Sequence, residues 1–298
     1  MKNIRKTFSL LVWILILFST LSLVAATVFA DQLSSTGDAG YYLQMAEDKM
    51  NEALASYEDH YPGKNLWAEA INYGEIVIEL DPDSAEAHYL LAKIYQHTNW
   101  YYREAREWER YVQLIENQQA LSPEIKRNYS YAHYRLGYAA YQKNEIDLAI
   151  DYLQEATRIK SDMVEPHYWL GRLYYENDNL EASYDSWQKV LSIDPDYQRA
   201  VYFLRKTEGA LQYGKQAYEY YEAGYNFYEK KLYQKALSEY QQAISYNNKF
   251  TDAHYWLGRI HYELANYQQA ADYWSQVLRM DPGNDKAAYW QKQAEKHL

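Results

Sequence analysis

Apolar residues recur every three or four positions along most of the chain, and short polar breaks separate the periodic segments. This spacing predicts amphipathic α-helices, each with one buried face. In one such segment the predicted core face consists of His133, Leu136, Gly137 and Ala140. Asp-Pro pairs predict helix ends, because proline disfavours a helical conformation in the residue before it. The whole pattern predicts an all-α fold with short turns.

An internal duplication underlies this pattern. Residues 167–175 read His-Tyr-Trp-Leu-Gly-Arg-Leu-Tyr-Tyr, and residues 254–262 read His-Tyr-Trp-Leu-Gly-Arg-Ile-His-Tyr, at an offset of 87. Inside each copy a shorter period of 34 residues appears. In the first copy this period links Leu136, Leu170 and Leu204. A period of about 34 residues is typical of stacked helix–turn–helix units.

At its small residues the chain resembles the tetratricopeptide repeat family. Packed helices normally lie about 8–10 Å apart, and glycine or alanine at the crossing lets a hairpin close to the short end of that range. The family's small position in the first helix falls on Gly137, Gly171, Gly224 and Gly258. Its small positions in the second helix fall on Ala149, Ala156, Ala236 and Ala243, and its closing proline on Pro82, Pro195 and Pro282. The resemblance implies a right-handed superhelical solenoid of helix–turn–helix units.

The chain departs from the family at single positions. Histidine stands where the family usually has tryptophan early in the first helix, at His88, His133, His167 and His254. Ser183 replaces a small alanine, and Ser161 and Asn248 replace the closing proline. The repeat is also interrupted at 208–215, between the two copies. These departures weaken single positions and leave the assignment of the repeats intact.

The N-terminal pattern and the repeats together divide the chain into five predicted segments. Residues 1–30 are predicted to be a signal peptide or an uncleaved anchor, and residues 31–40 a flexible lead. Residues 41–120 are predicted to hold irregular N-terminal repeat units. The first repeat module is predicted at 121–215, and the second at 216–298 with a C-terminal capping helix.

The N-terminal segment has the pattern of a secretory signal. A basic start with Lys2 and Arg5 precedes an apolar run at 8–28, and Val-Phe-Ala at 28–30 precedes an acidic residue. About 20 apolar residues can span a bilayer, so an uncleaved membrane anchor is the alternative. Either form predicts a location outside the cytoplasm, periplasmic or secreted. Contact with a membrane is expected only through this segment, if it stays uncleaved.

Composition narrows the classes of partner. The chain has 36 tyrosines, no cysteine and a net charge of −11. Without cysteine there is no disulfide, thiolate metal site or thiol nucleophile. A strongly acidic chain disfavours nucleic acid and anionic lipid surfaces. The remaining classes of partner are proteins, peptides and glycans.

A second stripe on each first helix, at spacing i, i+4 and i+7, is rich in tyrosine and carries interspersed cations. In tetratricopeptide repeat proteins this face lines the concave groove, so the resemblance implies a tyrosine-rich ligand groove. Its residues are Tyr89, Lys93, Tyr134, Tyr138, Tyr141, Tyr168, Arg172, Tyr175, Tyr221, Tyr225, Tyr228, Tyr255, Arg259 and Tyr262. Tyrosine suits peptide or sugar contacts, and cations suit carboxylates. The alternative is that the stripe only fills the seam between neighbouring first helices.

Catalysis and metal binding are not predicted. The recurring histidines occupy equivalent positions in different repeats, so stacking keeps them roughly 8–10 Å apart. Zinc needs nitrogens at about 2.0–2.1 Å from one point. The chain has no glycine-rich phosphate loop and no Gly-x-Ser-x-Gly elbow. We therefore expect no enzymatic activity, no cofactor and no metal.

The sequence thus predicts a non-catalytic scaffold of the cell envelope that binds a protein or an extended peptide in the tyrosine-rich groove. One alternative is a glycan-binding envelope protein, in which tyrosines stack on the sugar rings of cell-wall glycan. The other is a purely structural spacer in an assembly, in which the groove binds nothing specific.

Overall fold

The computed structural model describes residues 39–116, 118 and 120–298, and its regular secondary structure there is entirely α-helical. The helices are α1 Ala39–Ser56, α2 Asn65–Leu80, α3 Ala85–His97, α4 Tyr101–Glu116, α5 Pro123–Gln142, α6 Ile146–Ile159, α7 Val164–Glu176, α8 Leu180–Ile193, α9 Gln198–Tyr213, α10 Lys215–Glu229, α11 Tyr233–Tyr246, α12 Thr251–Glu263, α13 Tyr267–Met280 and α14 Asp285–Glu295. The predicted signal or anchor at 1–30 lies outside these ranges. Within them, no helix is both long and apolar enough to cross a membrane.

The helices form two compact units, one ending at Ala139 and the other spanning Ala140–Leu298, so that the boundary falls inside α5. In the first unit α1 packs on α2, α3 packs on α4, and α3 also contacts both α1 and α2. In the second unit each helix from α6 to α14 packs on the next one along the chain. This sequential packing of hairpins confirms the predicted all-α solenoid of helix–turn–helix units.

Five hairpin turns are closed by the same backbone geometry. Each has one non-glycine residue with a positive φ, namely Asn99, Asn144, Asp178, Lys231 and Ala265. The next residue donates its N–H to the carbonyl five positions back, as from Asn179 to Tyr174 at 2.9 Å. This bond satisfies a carbonyl that the helix end leaves open. Short turns of one type therefore repeat the same hairpin along the chain.

The hairpins close on glycine, as the small positions predict. A Cβ atom at Gly171 would lie 2.6 Å from the ring of Trp187, and one at Gly258 would lie 2.6 Å from the ring of Trp274. Both tryptophans are completely buried, with an exposed fraction of 0%. A ring therefore lies flat on the backbone of the facing helix, and only glycine leaves room for it.

Three of the four histidines that replace the family's tryptophan tie their first helix to the link before it. In three repeats the Nε2 atom donates to the carbonyl of the residue six positions earlier. The pairs are His88–Pro82 at 3.1 Å, His167–Ser161 at 3.0 Å and His254–Asn248 at 3.1 Å. Because the acceptor is a backbone carbonyl, the closing residue does not have to be proline. The departures at 161 and 248 are therefore tolerated.

Ser183 is explained by its buried neighbours. Its hydroxyl donates to the carbonyl of Gly171 at 2.8 Å and accepts from Trp187 Nε1 at 3.0 Å. In the second copy Ala270 occupies the equivalent position, and the indole of Trp274 donates instead to the carbonyl of Tyr255 at 3.2 Å. A buried indole N–H needs an acceptor, and the two copies supply it differently.

We expect Gly258→Ala to destabilise the fold. Overpacking a buried contact costs about 1–3 kcal/mol, and alanine recovers only roughly 1 kcal/mol through its higher helix propensity. The net loss in free energy of unfolding is therefore up to about 2 kcal/mol. Urea unfolding followed by circular dichroism measures it. Gly283→Ala is the control, since its Cβ would meet nothing nearer than 3.7 Å. Equal stability of the two variants would contradict the close approach.

Stability should also depend on pH through buried histidines. Burial lowers the pKa of His97, His167, His254 and His261 below the ordinary value of 6.5. Below pH 6.5 the unfolded chain takes up protons that the folded chain resists, so stability is lost as pH falls.

The test compares unfolding at pH 7.5 and 5.5. His254 contributes part of this loss, so His254→Gln should show a weaker pH dependence than the natural chain. The exposed His297→Gln should keep the full dependence. If His254→Gln and the natural chain respond equally to pH, the buried imidazole is not the cause.

Candidate functional site

The predicted groove residues lie on the first helices of the repeats, α3, α5, α7, α10 and α12. Twelve of the fourteen are half-buried. Tyr175 is buried, with 7% of its surface exposed, and Tyr225 is exposed, with 40%. We call these fourteen residues the tyrosine stripe. Its side chains are partly packed against their neighbours and partly exposed at the surface.

Tryptophans that were not among the predicted site residues hold the tyrosine stripe in the second unit. Trp169, Trp256 and Trp290 lie on α7, α12 and α14, each next to a tyrosine of the preceding first helix. The ring-centre distances are 5.0 Å for Tyr141–Trp169, 4.7 Å for Tyr228–Trp256 and 5.4 Å for Tyr262–Trp290. These tryptophans recur at the same offsets, 87 and 34, as the repeats. That recurrence is the signal by which the sequence could have revealed them.

The arginines of the stripe are already paired within their own helices. Arg172 lies 4.9 Å from the centre of the Trp169 ring, and Arg259 lies 3.8 Å from that of Trp290. The ion pairs are Arg172–Glu176 at 3.2 Å and Arg259–Glu263 at 2.7 Å. Both cations are thus fixed against rings and partly neutralised, so they brace the stripe in addition to offering positive charge.

In the first unit the stripe borders a buried acidic side chain. Glu104 accepts from Trp108 Nε1 at 3.1 Å and pairs with Arg135 at 2.6 Å. Lys93 lies over the ring of Tyr131 at 5.1 Å. Burial and the neighbouring Arg135 lower the pKa of the Lys93 ammonium. This part of the stripe is therefore a packed, charged layer.

An open cavity of about 580 Å³ lies in the second unit, between α9 and α10 with one residue from α12. We call it the junction pocket. It is lined by Tyr202, Arg205, Glu208, Gly209, Gln212, Tyr213, Tyr218, Tyr221, Glu222, Tyr225, Asn226 and Asp252. Two of these, Tyr221 and Tyr225, belong to the tyrosine stripe. The other ten were not predicted as site residues.

The junction pocket lies where the repeat is interrupted. Helix α9 aligns with the first helices α5 and α7, yet the next helix, α10, is the first helix of the second copy. Only Gly214 separates α9 from α10. Its φ of +89° is one that residues other than glycine rarely adopt. A Cβ at Gly209 would lie 1.9 Å from the ring of Tyr218, which shows how closely the two helices approach.

Charges in the junction pocket are mostly negative. Glu222 pairs with Lys206 at 3.5 Å and accepts from the hydroxyl of Tyr202 at 3.4 Å. Burial raises the pKa of the Asp252 carboxyl. Burial and the nearby Asp252 together raise the pKa of Tyr221 to about 12, so its hydroxyl stays protonated at neutral pH.

No metal centre is found in the described ranges, where no three or more acidic or histidine side chains gather around one point. The arrangement of the second unit offers aromatic rings, hydroxyl groups and carboxylates. These groups bind other molecules through stacking, hydrogen bonds and charge.

Comparison with known proteins identifies the repeats. Tetratricopeptide repeat models match residues 227–295 and 164–197, and a TPR repeat model matches residues 137–178. Tetratricopeptide repeat protein 6 of Homo sapiens is 38% identical over 52 residues. That match covers 17% of this chain and 10% of the human protein.

Solved structures with a similar fold include MamA, with 20% identity and a TM-score of 0.43 over 70% of this chain and 94% of that one. Another is pilF of Pseudomonas aeruginosa, with 14% identity and a TM-score of 0.41 over 86% of this chain and 97% of that one. A third is YrrB, with 16% identity and a TM-score of 0.36 over 89% and 97%.

The family models fall on the same hairpins that the 34-residue period marks and that the glycine–tryptophan crossings close. Residues 137–197 and 227–295 are therefore tetratricopeptide repeats.

Proposed function

We propose that this protein is a non-catalytic scaffold that binds an extended peptide, or an extended segment of a partner protein, along the tyrosine stripe of its second unit. The observation that carries the proposal is the repeated fixation of half-exposed tyrosines. Successive first helices present these rings at equivalent positions, and tryptophans from the second helix further along the chain hold several of them.

Fixed aromatic rings bind at low entropic cost. A tyrosine has few rotatable bonds, and a ring already packed on one side loses little freedom when a ligand covers the other. Its hydroxyl can hydrogen-bond to a peptide backbone while the ring contacts side chains. The regular recurrence of such rings suits a ligand whose own contacts recur, as in an extended chain.

The family supports the same class of ligand. Tetratricopeptide repeat proteins bind protein or peptide partners, and YrrB is one with a peptide-binding site. In this chain the positions Tyr168 and Tyr255 are equivalent by the duplication. Both rings lie beside the tryptophan that follows them in the chain, at 5.9 Å from Trp169 and 5.8 Å from Trp256. One extended ligand could therefore contact Tyr168 and Tyr255 in the same way.

The test uses the double variant Tyr168→Ser/Tyr255→Ser. Peptides are first selected on the natural protein from a display library of unstructured decapeptides, and their dissociation constants are then measured. Truncating a central aromatic contact typically costs about 2 kcal/mol or more. We therefore expect binding to weaken by at least about tenfold.

Tyr184→Ser/Tyr246→Ser is the matched control, because both rings lie on second helices, α8 and α11. Thermal unfolding must show that both double variants stay folded. Selected peptides that bind the stripe variant as well as the natural protein would rule out the stripe. A library that yields no binder, with the protein retained on purified wall glycan, would favour the glycan alternative.

We further propose that the protein acts in the cell envelope or outside the cell. The support is the basic start, apolar run and Val-Phe-Ala sequence of residues 1–30. Signal peptidase requires a small residue before the cleaved bond. Ala30→Arg should therefore leave an exported chain at its precursor mass, whereas the natural chain should begin at Asp31. Intact mass spectrometry of membrane and soluble envelope fractions decides this. A natural chain that keeps its first 30 residues would support the anchor.

A further inference from the structure

The junction pocket has the composition of a site for a cation. Its walls carry five tyrosine rings, three carboxylates and one arginine. Tyrosine faces attract cations through the negative charge of the π-system. Carboxylates favour cations and repel anionic ligands. A neutral sugar would use the rings and leave the carboxylates without a counter-ion.

Two of the three carboxylates form no direct ion pair among the described residues, and Lys286 acts on Asp252 only from beyond direct contact. Glu222 is paired with Lys206, whereas Glu208 and Asp252 take part in none of the ion pairs there. Both Glu208 and Asp252 are exposed, so a ligand in the pocket can reach them. A bound cation would supply the missing neutralisation.

The tyrosine walls are held in place by neighbouring rings. Tyr221 lies 4.9 Å from Phe250, and Tyr225 lies 5.5 Å from Trp256. Tyr218 packs on the backbone of α9 at Gly209. The pocket is therefore formed before a ligand arrives, which lowers the entropic cost of binding.

The duplication shows that one of the three pocket carboxylates, Glu222, is specific to this place. Glu222 aligns with Arg135 of the first copy, so the charge at this position is reversed. Arg135 pairs with the buried Glu104 in its own unit. In the second copy the position faces the pocket, and it is acidic. The reversal adds negative charge at the one place where α9 and α10 leave an open cavity.

We infer that the junction pocket binds an arginine side chain of the peptide ligand, with the guanidinium between the tyrosine rings and paired with Glu208 and Asp252. The inference rests on the proposed function and names the chemistry of its partner. A planar guanidinium stacks on aromatic rings and presents several N–H donors to carboxylates, which an ammonium does less well. The net charge of −11 also favours encounter with a basic segment.

The experiment uses two decapeptides of glycine, serine and alanine, each with a fluorescent label. One carries a central arginine, and the other carries citrulline, which has the same shape without the charge. Binding is measured by fluorescence anisotropy at low ionic strength. We expect the arginine peptide to bind the natural full-length protein at least about tenfold more tightly, since hydrogen bonds to charged groups are the strong ones.

The variant Glu208→Gln/Asp252→Asn removes both carboxylate charges while keeping the side-chain shapes. It should reduce the preference for arginine to within about twofold, with binding of the citrulline peptide unchanged. The duplication supplies the control Glu165→Gln/Glu295→Gln, whose residues stand 87 positions from Asp252 and Glu208. Both control residues are exposed and lie outside the pocket.

The outcomes separate the two proposals. An arginine preference that survives in the pocket variant, or one that the control variant loses equally, overturns the inference and leaves the stripe as the peptide site. Equal binding of the arginine and citrulline peptides to the natural protein also overturns it. If the library selection on the stripe yields no peptide at all, the proposed function itself fails.

Discussion

The contact between a glycine backbone and a tryptophan ring sets the geometry on which the rest of the second unit depends. A Cβ atom added at Gly171 or Gly258 would lie only 2.6 Å from the nearest atom of the facing indole ring. Both indole rings are fully buried. Dispersion attraction is lost quickly when atoms separate, so this crossing holds the two helices of a hairpin at one distance. The glycine–tryptophan crossing therefore positions the first helices and the tyrosine stripe that they carry.

Because of this geometry, the tyrosines of the stripe pack against neighbouring rings and still expose part of their surface. The distance between these helices lets Tyr228 reach Trp256 and Tyr262 reach Trp290. Arg259 lies on the ring of Trp290 as well and pairs with Glu263 of its own helix. The seam and the surface are therefore built from the same side chains. A ligand on the stripe would contact rings that the fold has already immobilised.

The junction pocket lies where the regular alternation of first and second helices is interrupted. Helix α9 has no second helix of its own, and the single residue Gly214 joins it to the next copy. The ring of Tyr218 lies on Gly209 there, in a crossing that belongs to no repeat. Interrupting a solenoid thus creates a cavity with a lining that the repeats do not share.

The sequence by itself determined the helices, the 34-residue period, the duplication at 87 and the glycines of the hairpin crossings, since all of these follow from local periodicity and side-chain size. It also marked the tyrosine stripe, whose spacing is that of one helical face. Only the tertiary structure decided which stripe rings meet Trp169, Trp256 and Trp290, and which carbonyls the histidines bind. It also decided that Asp252 of α12 faces a pocket between α9 and α10. The physical reason is that the ring and pocket contacts join different helices, whose approach depends on how each helix packs on its neighbours. The histidine bonds depend on the path of the link before each of those helices.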